Sequence, residues 1–200
     1  MDAELIAQAA IAAAVAWGSG LRLYLVLLVL GLLGRYAGFE LPETLAWLSH
    51  PLSLGITGLL SLTEFFADKI AWLDSIWDAL HSFLRIPAGA ALAVTLFPEL
   101  GDGGMTALVA LLGGGVAASA QLAKTGSRAV INASPEPLSN VAASAAEEGM
   151  LVAGLWTAFN HPLVFLVLLA VFVVLSLALA WFFVRAIRRL FAAHGRPAGS

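Results

Sequence analysis

Residues 5–34 read LIAQAAIAAAVAWGSGLRLYLVLLVLGLLG, and the way this run folds decides the architecture of the chain. As one continuous helix it would be about 44 Å long at 1.5 Å per residue. The hydrocarbon core of a bilayer is only about 30 Å thick. The run is therefore either one long, broken and tilted helix or two half-helices, residues 5–17 and 21–34, folded back on each other. Gly18-Ser19-Gly20 is the expected break, with Arg22 just beyond it.

The rest of the chain has the same apolar character. Of its 200 residues 60% are hydrophobic, 12% are charged and none is cysteine. Soluble domains average about 45–50% apolar and about 25% charged, and one core could not hide this much apolar surface. The mean hydropathy of +0.93 excludes a disordered chain. The lack of cysteine excludes a disulfide-stapled scaffold, and a net charge of −3 gives no sign of a nucleic-acid partner. The expected class is an all-α, polytopic transmembrane helix bundle forming one domain over residues 1–200, with the lipid bilayer as its first partner.

At about 20 apolar residues per crossing, further spans fall at residues 51–66, 75–97, 104–123, 140–158 and 162–184. This makes six spans, or seven if the first run is a hairpin. His50-Pro51 is a good helix start, because proline fits the first turn. No cleavable signal peptide is expected, since Asp2 and Glu4 stand where a basic stretch would be. In the six-span reading Lys69, Lys124, Arg128, Arg185, Arg188, Arg189 and Arg196 share one side, and only Arg35 lies on the other. The positive-inside rule then places both termini in the cytoplasm. In the seven-span reading the N-terminus moves outside and the C-terminus stays cytoplasmic. The basic tail reads as an interfacial anchor whose long side chains snorkel to the headgroups. The tryptophans fall mostly near span ends, as in an aromatic belt.

Two short matches suggest an internal duplication. Ser19-Gly20-Leu21-Arg22 resembles Thr125-Gly126-Ser127-Arg128, and His50-Pro51-Leu52 recurs as His161-Pro162-Leu163. The halves would be residues 1–67 and 104–190, with 68–98 inserted. Paired interrupted helices in corresponding positions point to a transporter's binding site, because broken backbone survives in hydrocarbon only where protein or a water-filled cavity satisfies it. Residues 124–140, rich in Gly, Ser, Asn and Pro, read either as a solvated loop or as a re-entrant, cavity-lining segment. The sequon-like Asn132-Ala133-Ser134 would lie on the cytoplasmic side, where it has no role.

Scarce charge marks the candidate site. Asp74, Asp78, His81 and Arg85 are spaced four, three and four apart and so share a helix face. That face either lies in the interface or turns inward toward Arg22 and Arg128, and the expectation is a mixture, with Asp74 interfacial and Asp78, His81 and Arg85 progressively deeper. Glu64 and Asp68, four apart, end the preceding helix. Glu147 and Glu148 sit about 100° apart on their helix, with Arg22 or Arg128 the simplest partner for an inward one. Asp78 and His81 could offer oxygen and nitrogen to a metal, with Glu147 or Glu148 adding a carboxylate. However, no HExxH, cysteine ligand or repeated Glu-x-x-His occurs. An Asp–His–Arg network explains the same residues, so no metal and no cofactor is expected. There is no nucleophile elbow or phosphate loop, and Gly113-Gly114-Gly115 reads as helix packing.

Taken together, Ser19-Gly-Leu-Arg-Leu-Tyr-Leu, Ala67-Asp-Lys-Ile, Asp74-Ser-x-Trp-Asp78-x-x-His81 and Asn132-Ala-Ser-Pro-Glu-Pro137 resemble a family of small bacterial integral membrane proteins catalogued as domain of unknown function 4126. The resemblance covers roughly residues 10–185. It implies a multi-pass protein of the bacterial cytoplasmic membrane and carries no activity, ligand or site residue.

The leading expectation is a small-solute or ion transporter or channel with a polar site near the midplane, built from Arg22, Asp78, His81, Arg85, Arg128, Asn132, Glu147 and Glu148. Arg22 and Arg128 would compensate charge or bind an anionic group, and Asp78 and His81 would couple an ion or proton. The alternatives are an intramembrane enzyme on a lipid-linked substrate, using Asp78 and His81 as acid and base, and a non-catalytic membrane scaffold. Self-association as a homo-oligomer is left open.

Overall fold

The computed structural model describes residues 3–97, 101, 103–132 and 137–194. Its elements are α1 (Ala3–Tyr36), a 3₁₀ turn (Glu43–Ser49), α2 (Pro51–Ala67), α3 (Ala71–Thr95), α4 (Gly103–Asn132), α5 (Pro137–Asn160) and α6 (Pro162–His194). Among the described residues the chain is all helical, without a strand. Three stretches are long and apolar enough to cross a membrane: α1, α4 and Pro162–Arg185 within α6. The 3₁₀ turn and α2, bent by 74° at His50, would together make a fourth. These lengths and compositions are compatible with a membrane protein.

The first run is broken, at Arg22 rather than at the small tripeptide. Gly18-Ser19-Gly20 remains helical, while Arg22 has φ −148° and ψ 83°. A Cβ placed on Gly18 would lie 2.7 Å from Val26 Cγ2, whereas eight residues of straight helix would separate the two by about 12 Å. At the far end Glu4, Gln8 and Ile11 line the same cleft as Phe39, Glu40 and Glu43. The two arms, 3–21 and 23–36, therefore run back alongside each other, with Arg22 at the tip.

The remaining helices pack around this hairpin. α2 descends beside the second arm, from Gly31 against the Leu48 carbonyl to Arg22 against Asp68. α3 climbs beside the first arm, where Gly89 meets Ser19 and Ala16. α4 follows α3 closely. A Cβ on Gly113 would meet Ala93 Cβ at 2.5 Å, and one on Gly20 would collide with the Ala117 carbonyl. Small residues are what permit this approach of backbones. Trp17 belongs to the core rather than to an interfacial belt: its rings meet Phe165 and Phe172 edge-on at 6.2 and 5.8 Å. Gly154 leaves room for the ring as well, and burial of so large an aromatic surface among these neighbours outweighs any benefit at the interface. Trp47, Trp72, Trp156 and Trp181 are exposed.

The two sequence matches separate at this level. His50-Pro51 and His161-Pro162 both start helices, with Leu52 N–H donating to His50 Nδ1 at 3.2 Å. Arg22 marks a break, whereas Thr125-Gly126-Ser127-Arg128 lies inside an unbroken helix. The polar run 124–140 is thus mostly helical: residues 124–132 complete α4, and 137–140 begin α5. Gly126 costs the helix only about 1 kcal/mol relative to alanine, too little to interrupt it. Ala133 and Ser134 of the sequon, Pro135-Glu136 of the family motif, the Arg189 side chain and Arg196 lie outside the described residues.

Candidate functional site: a buried ion-pair network at the tip of the α1 hairpin

Each helix around the hairpin tip offers a polar stripe at spacings of three, four or seven, the distances that put residues on one face. From the end of α2 come Glu64 and Asp68, and from α3 Asp74, Asp78 and Arg85. From α4 come Gln121, Lys124 and Arg128, and from α5 Asn140, Ser144 and Glu147. All eleven are buried, as is Arg22. Lys124 lies about 12 Å from the end of α4, and Glu147 about 15 Å from the start of α5, at 1.5 Å per residue. The network therefore sits well inside one end of the bundle.

Arg85 organises one lobe. Its Nη1 donates to Asp78 Oδ1 at 2.7 Å and to Gln121 Oε1 at 2.9 Å, while Nη2 pairs with Glu64. Gln121 Nε2 in turn donates to Ser82 and Thr125, both at 3.0 Å. In the second lobe Arg22 Nη2 lies 2.6 Å from Asp68 Oδ2 and donates to Ser144 Oγ at 2.8 Å. Arg128 grips Glu147 with two bonds, Nε to Oε1 at 2.9 Å and Nη2 to Oε2 at 3.0 Å. Its Nη1 donates to the Asp68 carbonyl at 3.0 Å, closing the end of α2. Glu148, with its side chain 29% exposed, reaches Arg22 Nη1 at 3.4 Å.

Lys124 joins the lobes. Its ammonium stands 3.2 Å from Asp78 Oδ1 and 3.4 Å from Asp68 Oδ2. It also donates at 3.4 Å to the carbonyl of Leu21, next to the break in α1. Interrupting a helix leaves backbone groups that must find other partners, and a buried ammonium supplies one here. Oxygens of Asp68, Asp74 and Asp78 fall within 4.8 Å of one another, close enough to surround a small cation. Lys124 already provides that positive charge for two of the three. Lys69, in the turn after α2, donates to the Phe65 carbonyl at 3.1 Å and lies over the Phe65 ring. Burial pushes its pKa down, against the opposing charge of Glu148.

Of the residues singled out from sequence, Arg22, Asp78, Arg85, Arg128, Glu147 and Glu148 come together. Asn132 stands at the edge, its Nδ2 donating to Asp74 Oδ2 at 2.9 Å. His81 is turned away. Its Nδ1 meets the Trp77 carbonyl at 2.8 Å, and its ring stacks on Trp77 and faces Tyr24. Asp78 is held by Arg85 and Lys124, so Asp78 and His81 do not form an acid–base or ligand pair. Sequence reasoning passed over Glu64, Asp68, Gln121, Lys124, Asn140 and Ser144 as site members, and it expected Asp74 at the interface, where the structure instead buries it. The signal was the same face-sharing spacing that singles out the α3 stripe.

An all-helical chain with a charged interior at a helix break is the class these observations define. The family described as Domain of unknown function (DUF4126) matches residues 9–182, and the chain belongs to it. No curated protein and no solved structure matches the chain.

Proposed function

We propose that the chain is a multi-pass protein of the bacterial cytoplasmic membrane that passes a small ion or solute by way of the buried network. The observation that carries this reading is Lys124, an ammonium that bridges two carboxylate lobes and a carbonyl beside the α1 break. Removing each charge from water costs several kcal/mol even after relaxation, and well-packed apolar residues would often serve stability as well or better. Ionisable residues at membrane depth usually belong to ion or proton pathways, and interrupted helices mark transporter sites. In this reading seven segments enter the membrane: the two α1 arms, the bent 3₁₀–α2 pair, and α3 to α6. The end bearing Lys69, Arg185 and Arg188 faces the cytoplasm, with the C-terminus, and the N-terminus faces out. The network lies on the cytoplasmic side of the midplane.

A second reading, the non-catalytic scaffold, is favoured by one observation: each of Arg22, Arg85, Lys124 and Arg128 has a carboxylate within 4 Å. Ion flux separates the two. Proteoliposomes holding the purified chain should dissipate an imposed gradient of at least one small ion faster than empty vesicles. Asp78→Asn should abolish the difference while the protein stays folded. Wild-type vesicles as tight as empty ones to protons, alkali cations and small anions would favour the scaffold.

A further inference from the structure

The network has a charge imbalance that its ion pairs do not resolve. Arg22, Arg85, Lys124 and Arg128 face the carboxyls of Glu64, Asp68, Asp78 and Glu147, which balances four against four. Two carboxyls remain. Glu148 is partly exposed and reaches Arg22. Asp74 is wholly buried, and among the described residues no cation lies within 4 Å of it.

Every charged group near Asp74 is already committed. On its own helix Asp78 is held by Arg85 and Lys124. At the end of α2 Asp68 is held by Arg22 from α1. On α4 Lys124 is shared by Asp68 and Asp78, and Arg128 is engaged by Glu147 of α5. Among the described residues the donor to Asp74 is the Asn132 amide, which bonds Asp74 Oδ2. A second and independent observation concerns the remaining oxygens. Asp74 Oδ1 and Asp78 Oδ2 are both buried, and among the described residues neither has a hydrogen-bond partner. Ionised carboxylates can only accept, so these two buried acceptors, on carboxyls that approach within 4.8 Å, lack a hydrogen, and protonating one turns it into a donor. Like charges crowded among Asp68, Asp74 and Asp78, all within 4.8 Å, favour the same outcome.

We propose that Asp74 is the proton-binding carboxyl of the network, neutral and O–H donating in the structure described, and exchanging its proton with water at the end of the bundle where α3 begins. Asp74 lies in the first turn of α3, and the adjacent Ser75 is exposed. The exchange is a simple ionisation, with the carboxyl O–H bond broken, the electron pair kept by Asp74 and the proton passed to water. From Asp74 the face continues inward to Asp78 and Arg85. This deepens the translocation reading by naming the proton as the coupled ion, and its functional meaning rests on that reading.

Infrared difference spectroscopy between acid and mildly alkaline pH, on the full chain in lipid, tests the assignment without requiring flux. One carboxylic C=O band should vanish as pH rises, shift when aspartate is supplied with a ¹³C carboxyl, and be absent from Asp74→Asn. Asparagine is isosteric with the protonated acid, so this variant should fold. If it does not, Asn132→Ala provides the check, because its amide bonds Asp74 alone among the three aspartates and its loss should move the band. A wild-type spectrum with no such band, a band insensitive to aspartate labelling, or one retained in folded Asp74→Asn overturns the proposal. A band that behaves as expected in a chain without ion flux leaves Asp74 assigned and rejects the translocation reading.

Discussion

Glu147 and Glu148 are neighbours in sequence and unequal in the fold. Glu147 is buried and doubly bonded to Arg128, whereas Glu148 makes one contact at 3.4 Å with its side chain 29% exposed. Removing one partner of a buried pair leaves the other uncompensated, a loss of about 3–5 kcal/mol. A longer pair with one partner open to solvent contributes less, on the order of 1 kcal/mol. Glu147→Gln should therefore lower the melting temperature in detergent far more than Glu148→Gln, and Arg128→Met with Glu147→Met should recover part of the loss. Equal melting curves for the two single variants would remove the buried pair from the account. At this scale the sequence was only half legible. The α3 stripe stood out because Asp74, Asp78 and Arg85 interrupt an apolar run. Lys124 looks like an ordinary cytoplasmic flank residue, since basic side chains near span ends usually snorkel to water. Only the partners brought by other helices, Asp68 and Asp78, show that it turns inward.

Helices in this fold are set by where small residues allow contact and where the chain must turn. Gly20 faces the Ala117 carbonyl, so even a methyl group there forces α1 and α4 apart. A Cβ added at Gly126, in the interior of α4, would meet nothing within 4 Å. Gly126→Ala should stabilise the protein by about 0.5–1 kcal/mol through helix propensity alone, while Gly20→Ala should destabilise it. Paired thermal unfolding curves check both signs. A break in the first run was legible from its length and from Arg22, but its position was not. Glycines at 18 and 20 suggested a turn and instead provide close packing, while the reversal falls on Arg22, whose side chain finds Asp68 and Ser144. The polar run 124–140 misled in the opposite way: its turn-forming residues are carried by helix at both ends.

Over the whole molecule the helix ends sort into two groups with different chemistry. One end holds the network, Lys69 and the basic stretch of α6. The other holds a cleft of about 1000 Å³ lined by Glu4, Glu40 and Glu43. Because the native chain has no cysteine, single cysteines report sidedness cleanly. In right-side-out vesicles Glu43→Cys should react with an impermeant maleimide, while Lys69→Cys and Arg188→Cys should react only after permeabilisation. The membrane-compatible class was legible from composition, because 12% charge cannot cover a soluble surface, and its helical character from apolar runs of about 20 residues. The pairing of the arms was not, since each arm is uniformly apolar and its periodicity does not say which neighbour it meets.

Everything above depends on α1 reversing at Arg22, for only then does that arginine reach Asp68 while Glu4 and Tyr36 return to the same end. Both of those residues are exposed and accept spin labels through Glu4→Cys and Tyr36→Cys. Electron–electron distance measurement on this doubly labelled chain in lipid should place the two backbones about 10–15 Å apart, the spacing of packed antiparallel arms of these lengths. A separation near 48 Å, the length of 32 residues of continuous helix, would contradict the fold and the network built on it.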